Sequence, residues 1–272
     1  MTLVVDTHAH LQDPAFATDL LDVLAKADAE GVGGILVCGY DPESNEQALR
    51  LAERSPIVFP AVGYHPHEAK EIMPGLLDTL ETLAALPEVA AIGEIGLDFY
   101  RDHSPHDRQR EVLDAELAIA VRAGKPVSVH SRGAEEAIFD QLAAYSRAAG
   151  WQPDARPVGV MHCFGGSLSQ ARRYVGIGFL ISFACTLTYP RNEEARTIAT
   201  DLPLESIVVE TDSPYLPPQK LRGKRNEPAN VRRAVEALAA VRGISVDDAA
   251  AATTRNASRL FGVAIPSKVA AR

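Results

Sequence analysis

Cysteine is scarce in this chain, and its three copies, Cys38, Cys163 and Cys185, are scattered, with none in C-x-x-C spacing. That excludes a disulfide-stapled framework and predicts a reducing, cytoplasmic setting. Long apolar runs are missing as well. None approaches the roughly 20 residues that a membrane-spanning helix needs. The opening Met1-Thr2-Leu3-Val4-Val5-Asp6 lacks the basic and apolar regions of a secretory signal. Positive charge is in deficit, with 27 Lys and Arg against 36 Asp and Glu for a net charge of -9. On average the surface repels polyanions, which counts against a long electrostatic track along nucleic acid. A phosphate substrate stays open, because bound metal ions can supply the positive charge locally. Gly/Ser linkers, repeats and low-complexity blocks are also absent, so one domain over residues 1–272 is expected, with 263–272 as a loose tail.

What the chain does have is alternation. Apolar, β-branched runs at 3–7, 34–38, 57–62, 89–93, 126–129, 158–161, 178–182 and 207–210 predict strands. Between them lie helical periodicities such as 19–29, 105–123 and 134–149, and two more helices, 229–241 and 245–260, end the pattern. For the helix at 105, Ser104 reads as N-cap, Pro105 as first helical residue and Gly124 as the stop. Strict strand–helix alternation implies parallel strands joined by crossovers. Eight such units in 272 residues predict an α/β (β/α)8 TIM barrel.

The active site of such a barrel lies at the carboxyl ends of its strands. Those ends carry Asp6-Thr7-His8-Ala9-His10, His65-Pro66-His67, Glu94, His130-Ser131-Arg132, His162-Cys163 and Glu210-Thr211-Asp212. His8 and His10 are two apart, so an extended segment points both imidazoles to one side. Asp6 shares their parity, which gives it two readings, orienting an imidazole or capping a loop. Glu94 follows a wholly apolar strand, where an unpaired carboxylate is costly to bury. A metal resolves that cost, and its two oxygens suit a bridge between two ions; a salt bridge to Arg132 or Lys125 is the alternative. His130 and His162 look like ligands of a second ion, and Asp212 can both ligate and take a proton from water. Glu210 shares Asp212's parity and reads as a supporting carboxylate. Cys163, of opposite parity to His162, is expected to face the helices. Arg132, Lys224 and Arg225 are candidate phosphate clamps, solvated loop charge being the other reading. Tyr100 and Phe99 could stack on a base, or simply pack. Imidazole with carboxylate suits Zn²⁺ or Mn²⁺, whereas Mg²⁺ prefers oxygen.

These motifs carry a resemblance. D-x-H-x-H at 6–10, G-Y-H-P-H at 63–67, G-E-I-G-L-D-F-Y at 93–100, H-S-R, H-C-F, E-T-D-S-P-Y-L at 210–216 and R-G-K-R-N-E-P at 222–228 resemble the TatD family of metal-dependent deoxyribonucleases, in order and over nearly the whole chain. The resemblance implies an amidohydrolase-type barrel with two divalent ions, or three, with Mg²⁺ favoured for nuclease activity. His8, His10, Glu94 and Asp212 would hold one ion, and Glu94, His130 and His162 the other. His65 would contact the scissile phosphate, and a metal-bound hydroxide would attack phosphorus with Asp212 orienting or deprotonating the water. A protonated His65 would stabilise the leaving oxygen. The implied function is 3′–5′ exonuclease-like hydrolysis of DNA, at ends or in single strands, by a monomer with no obligate protein partner. The alternative on the same metal site is a D-aminoacyl-tRNA deacylase or another C–N or ester hydrolase.

Overall fold

β-Branched side chains stiffen the backbone into pleated segments and fill the space between neighbouring elements, and the Val- and Ile-rich runs of this chain do so eight times. The computed structural model describes residues 2–265. Its strands are β1 (Val4–Ala9), β2 (Val32–Cys38), β3 (Val58–Val62), β4 (Ala91–Asp98), β5 (Val127–Arg132), β6 (Gly159–Met161), β7 (Phe179–Phe183) and β8 (Ile207–Val209). They pair in parallel in the order β1 to β8. The ring closes where His10 N donates to Ser213 O at 2.7 Å and Asp212 N to His8 O at 2.9 Å. Around it run α1 (Leu20–Ala29), α2 (Pro42–Arg54), α3 (Pro74–Ala84), α4 (His106–Ala123), α5 (Phe139–Ala148), α6 (Leu168–Val175), α7 (Glu193–Asp201) and α8 (Val231–Arg242), followed by α9 (Val246–Phe261). The chain is therefore the expected (β/α)8 barrel.

Local chemistry sets the helix ends. Asp41 with Ser44 and Ser167 with Gln170 form capping boxes at α2 and α6. Gly124, at φ 64°, ends α4 in the left-handed conformation that glycine tolerates. The start of α4 differs from expectation by one residue: Pro105 is the N-cap. Ser104 is committed elsewhere, donating to His67 O at 2.6 Å and accepting from Lys70 N at 3.1 Å. It thereby ties the β4–α4 loop to the loop after β3.

Two apolar layers hold the barrel. Val4, Ile35, Val62, Ile92, Ile95, Val129, Met161 and Ile181 face the helices, whereas Val5, Leu36, Ala91, Val160, Leu180 and Val208 form a separate inner cluster. Ala257, Leu260 and Phe261 of α9 join the inner cluster, with Val263 and Ile265 packed against it. The start of the expected tail is thus docked, and 266–272 lie outside the described residues. Thr254 Oγ1 donates to Leu3 O and Asn256 Nδ2 to Leu204 O and Ile207 O, so α9 covers the end where strands begin. The opposite end is left for chemistry. No helix among the described residues is long and apolar enough to cross a membrane.

Candidate metal centre

Strand ends bring the expected side chains together, but two of them depend on irregular backbone. Ile92 and Ile95 both face the helices although three positions apart, and the β4–β5 register shifts between them. That extra residue turns Glu94 inward. β4 then continues to Asp98, so Glu94 sits within the strand rather than at its end. A similar shift falls between Asp6 and Ala9 of β1. It breaks the parity that would have put Asp6 beside His8. Asp6 instead accepts from Thr211 N at 2.8 Å and Thr211 Oγ1 at 2.6 Å, and from His8 N at 3.4 Å. It touches no imidazole; it joins β1 to the segment after β8. Burial pushes its carboxyl up to about 8.

Glu94 is the hub. Its Oε2 lies 3.4 Å from His8 Nε2 and 3.5 Å from His10 Nε2. Its Oε1 faces His130 Nδ1 at 3.0 Å, His162 Nε2 at 3.2 Å and His65 Nε2 at 3.4 Å. Asp212 Oδ1 completes the first side, 3.6 Å from His10 Nε2 and 4.0 Å from His8 Nε2. Its residue sits at φ 57°, a costly conformation for a non-glycine residue. Burial raises the Glu94 carboxyl, but the imidazoles of His65, His162 and His8 outweigh it and hold the group well below the usual range. The salt-bridge alternative falls away, because Lys125 donates to Leu86 O and Val89 O and Arg132 lies over the Tyr100 ring, while the ion-pair partners of Glu94 among the described residues are histidines.

The outward nitrogens of these imidazoles decide what the inward ones can do. His10 Nδ1 is 3.0 Å from Cys38 O, His162 Nδ1 is 3.2 Å from Glu210 Oε1, and His130 Nε2 is 3.1 Å from Asp98 Oδ2. Carbonyl and carboxylate oxygens only accept. The outward oxygens thus hold one ring proton, while the inward nitrogens face the carboxylates of Glu94 and Asp212. In spite of burial, the surrounding carboxylates raise His10, His130 and His162 above the ordinary imidazole range. A cation among those nitrogens would take the place of the inward protons. His8 Nδ1 has Ser128 Oγ at 3.3 Å and Cys38 Sγ at 3.4 Å, which can accept likewise. His65 is the opposite case. Its Nδ1 accepts from His67 N at 3.1 Å, so in the neutral ring the inward Nε2 carries the proton. By distance alone, His65 with Glu94 and His130 makes a metal-sized cluster, as do His8/Glu94/His162 and His8/His10/Asp212. The tautomer makes His65 a donor instead. Burial drives it down to about 4 in spite of Glu94, so it acts as a neutral imidazole, not the expected imidazolium.

Two supporting carboxylates deserve separate mention. Glu210 accepts from Ser182 Oγ at 2.6 Å and Cys163 N at 2.7 Å as well as facing His162. Asp98, which the strand pattern did not single out, accepts from His67 Nε2, Tyr100 N and Arg101 N besides His130. Its sequence signal was its place in the G-E-I-G-L-D-F-Y segment at 93–100, which carried no role for it.

A cavity of about 1370 Å³ opens over this cluster. Arg132 lines it, but Lys224, Arg225 and Tyr100 do not. Arg225 is spent on the Asp19 carboxylate, at 2.8 and 2.6 Å, and on Glu227 at 3.1 Å, with its guanidinium over Phe16, so it is no phosphate clamp. Lys224 is exposed on the same loop. Tyr100 stands at the rim, 66% exposed, with Arg132 Cζ 4.1 Å above its ring. Phe99 packs, stacked on His106 with centroids 3.8 Å apart. Cys163, at φ 42°, lines the cavity rather than facing the helices, because the chain leaves extended geometry there. Arg101, Arg191 and Arg222 also line it. The sequence marked the last only as part of the R-G-K-R-N-E-P segment.

Known proteins resemble this chain over nearly its whole length. Residues 5–262 match the family model described as TatD related DNase. The metal-dependent hydrolase YabD of Bacillus subtilis strain 168 is 35% identical over 96% of this chain and 100% of its own length. The 3′-5′ ssDNA/RNA exonuclease TatD of Salmonella typhimurium strain LT2 is 36% identical, covering 95% of this chain and 98% of that protein. Among solved structures, the TatD homologue YjjV of Escherichia coli K12 superposes with a TM-score of 0.89 at 34% identity, over 96% of this chain and 98% of that one.

Proposed function

Because this chain belongs to the TatD-related DNase family and is a metal-dependent hydrolase, we propose that it removes nucleotides from the 3′ ends of single-stranded DNA. The observation that carries the reading is the convergence of four inward imidazole nitrogens on Glu94, with His65 Nε2 beside them. That donor set fits divalent cations. His8, His10, Glu94 and Asp212 would hold one ion, and Glu94, His130 and His162 would hold a second. Four acidic side chains, Glu94, Asp98, Glu210 and Asp212, gather around these imidazoles, a setting that divalent ions would balance. The mixed N/O set admits Mg²⁺, Mn²⁺ or Zn²⁺.

When bound, such ions supply a water of lowered pKa and polarise a phosphoryl oxygen. The chain's own residues do the rest. Burial opposes ionisation of Asp212, but hydrogen bonding to His10 and the charges of His162 and His8 hold its carboxyl below the usual range. It is therefore an acceptor ready for a water proton. His65 Nε2–H donates to a phosphate oxygen without changing protonation state, a fixed dipole aimed where negative charge develops. Arg132, planar and permanently charged, suits a fork onto the phosphate. The cavity exceeds the ~300–1,000 Å³ of ordinary small-molecule sites, which supports a polymer. A monomer in the cytoplasm suffices for this activity.

The test is purified protein with end-labelled single-stranded DNA, duplex DNA, RNA and D-aminoacyl-tRNA. Activity is stripped by EDTA and restored with Mg²⁺, Mn²⁺ or Zn²⁺. Metal-restored shortening of single strands from the 3′ end is expected. Absence of any metal-restored nucleic-acid cleavage, with deacylation present, would replace this reading by the esterase one.

A further inference from the structure

Four guanidiniums line the cavity, and among the described residues none of them makes an ion pair. They stand in two groups. Arg101 follows β4 and Arg132 ends β5; Arg191 and Arg222 follow β7 and β8. In a ring of eight strands paired in chain order, β4/β5 lie across the barrel from β8. Each group contains the same motif, an arginine laid on a tyrosine ring. Arg132 Cζ is 4.1 Å from the Tyr100 centroid, and Arg222 Cζ is 5.0 Å from that of Tyr189. Stacking leaves the edge of the guanidinium, with its fork of N–H groups, free to grip a phosphate.

Both pairs are mounted on fixed backbone. Tyr189 OH donates to Pro217 O at 2.8 Å, and Gln219 N donates to Thr188 Oγ1 at 2.8 Å, joining the loops after β7 and β8. On the other side, Tyr100 N and Arg101 N both donate to Asp98 Oδ1, at 2.9 and 2.8 Å. Asp98 also holds His130. The rim pair and the metal centre therefore share one anchor.

We propose that the Arg132/Tyr100 and Arg222/Tyr189 pairs grip one single strand on both sides of the metal cluster. One arginine holds a phosphate near the scissile bond, and the other holds a phosphate across the mouth. The tyrosine faces are placed for base stacking, which is indifferent to sequence. This rests on the nucleic-acid reading of the site. A built two-point grip with few cations reconciles strand binding with an acidic chain: the contacts are local, not a long track.

The salt dependence of binding tests it. The metal-loaded Asp212→Asn protein, with and without Arg222→Gln or Arg132→Gln, is titrated with a fluorescein-labelled 12-nucleotide thymidylate strand by anisotropy at several salt concentrations. Loss of one phosphate contact on a single strand reduces the slope of log K against log[salt] by about 0.7. Each substitution is expected to do so, the pair together by about 1.4, with roughly tenfold weaker binding per arginine. Arg173→Gln, a residue paired on the surface with Glu136, leaves the slope alone. In the active enzyme, Arg222→Gln should also erase the gain in kcat/KM between a dinucleotide and the 12-mer. Slopes unmoved by Arg222→Gln and Arg132→Gln, in protein that still cleaves strands, overturn the grip and leave the nuclease reading intact. Reduced slopes without metal-restored cleavage overturn the nuclease reading and leave the grip.

Discussion

Glu116, on the inner face of α4, gives the sharpest test of the electrostatics behind the site. It is 1% exposed, and its Oε1 accepts from Tyr64 N at 2.7 Å, one residue before His65. Among the described residues no cation pairs with it, and burial pushes its carboxyl well above the ordinary 4.5. The folded chain thus holds a proton that it releases on unfolding. Its contribution to stability is complete below pH 4.5 and is lost as pH rises toward the folded pKa. Across that window the loss is about 1.4 kcal/mol per pH unit. Glutamine keeps the shape and the acceptor oxygen without the titration. Glu116→Gln should therefore gain on the parent by that amount per unit, or roughly 3–5 °C in Tm for a chain of this size. Glu116→Ala leaves Tyr64 N without its acceptor and should lie about 1–3 kcal/mol or more below Glu116→Gln at every pH. Thermal unfolding of the three proteins from pH 5 to 8 measures this directly. A gap between parent and Glu116→Gln that stays constant with pH would refute a protonated Glu116.

Three further outcomes follow from the metal centre. Asp212→Asn should abolish turnover while strand binding persists, and normal turnover in metal-loaded variant protein rules out its role as proton acceptor. Asp98→Asn removes the anion that fixes the His130 ring, so metal affinity should fall about 10–100-fold by calorimetric titration; unchanged affinity would make Asp98 a loop anchor alone. His65→Gln should lower kcat by roughly 10²–10³, as for loss of one donor to a developing oxyanion. Because burial holds His65 near 4, the parent's rate should have no inflection from it between pH 6 and 8. A limb near 6.5 that disappears in His65→Gln would restore the imidazolium reading.

The barrel was legible because alternation of β-branched runs with helical periodicity leaves few topologies open. His8, His10, Glu94, His130, His162 and Asp212 were legible as a group for the same reason: polar groups at the ends of apolar strands need a common explanation. What strand parity could not convey was the irregular backbone. For Asp6, parity left open an imidazole partner or a loop cap, of which the loop contact forms, and it expected Cys163 among the helices, which fails; both outcomes fall where the chain leaves regular extension. Asp98 stood in the 93–100 segment, but its role was hidden because nothing local says that β4 runs on for four residues beyond Glu94. Glu116 was hidden because a carboxylate on a helix reads as surface until its neighbours are known.

Arginines show why charge alone is a weak guide to phosphate contacts. Arg222 and Arg225 lie three apart in one loop, yet one is free over the cavity and the other is neutralised by Asp19, 206 residues earlier. The difference is tertiary, since it depends on which loop of α1 lies beneath. The same logic tempers the net charge of -9. Beyond about 8–10 Å, exposed charges are screened at physiological salt, so distant carboxylates do little to a strand end seated among unpaired guanidiniums. They do oppose a duplex laid along the surface. An acidic body with a few unpaired arginines around the metal centre therefore favours a single strand inserted end-on, and the total salt slope for binding should be small, a few multiples of about 0.7. A slope many times larger would mean an extended track outside the cavity, and would sink the end-on geometry.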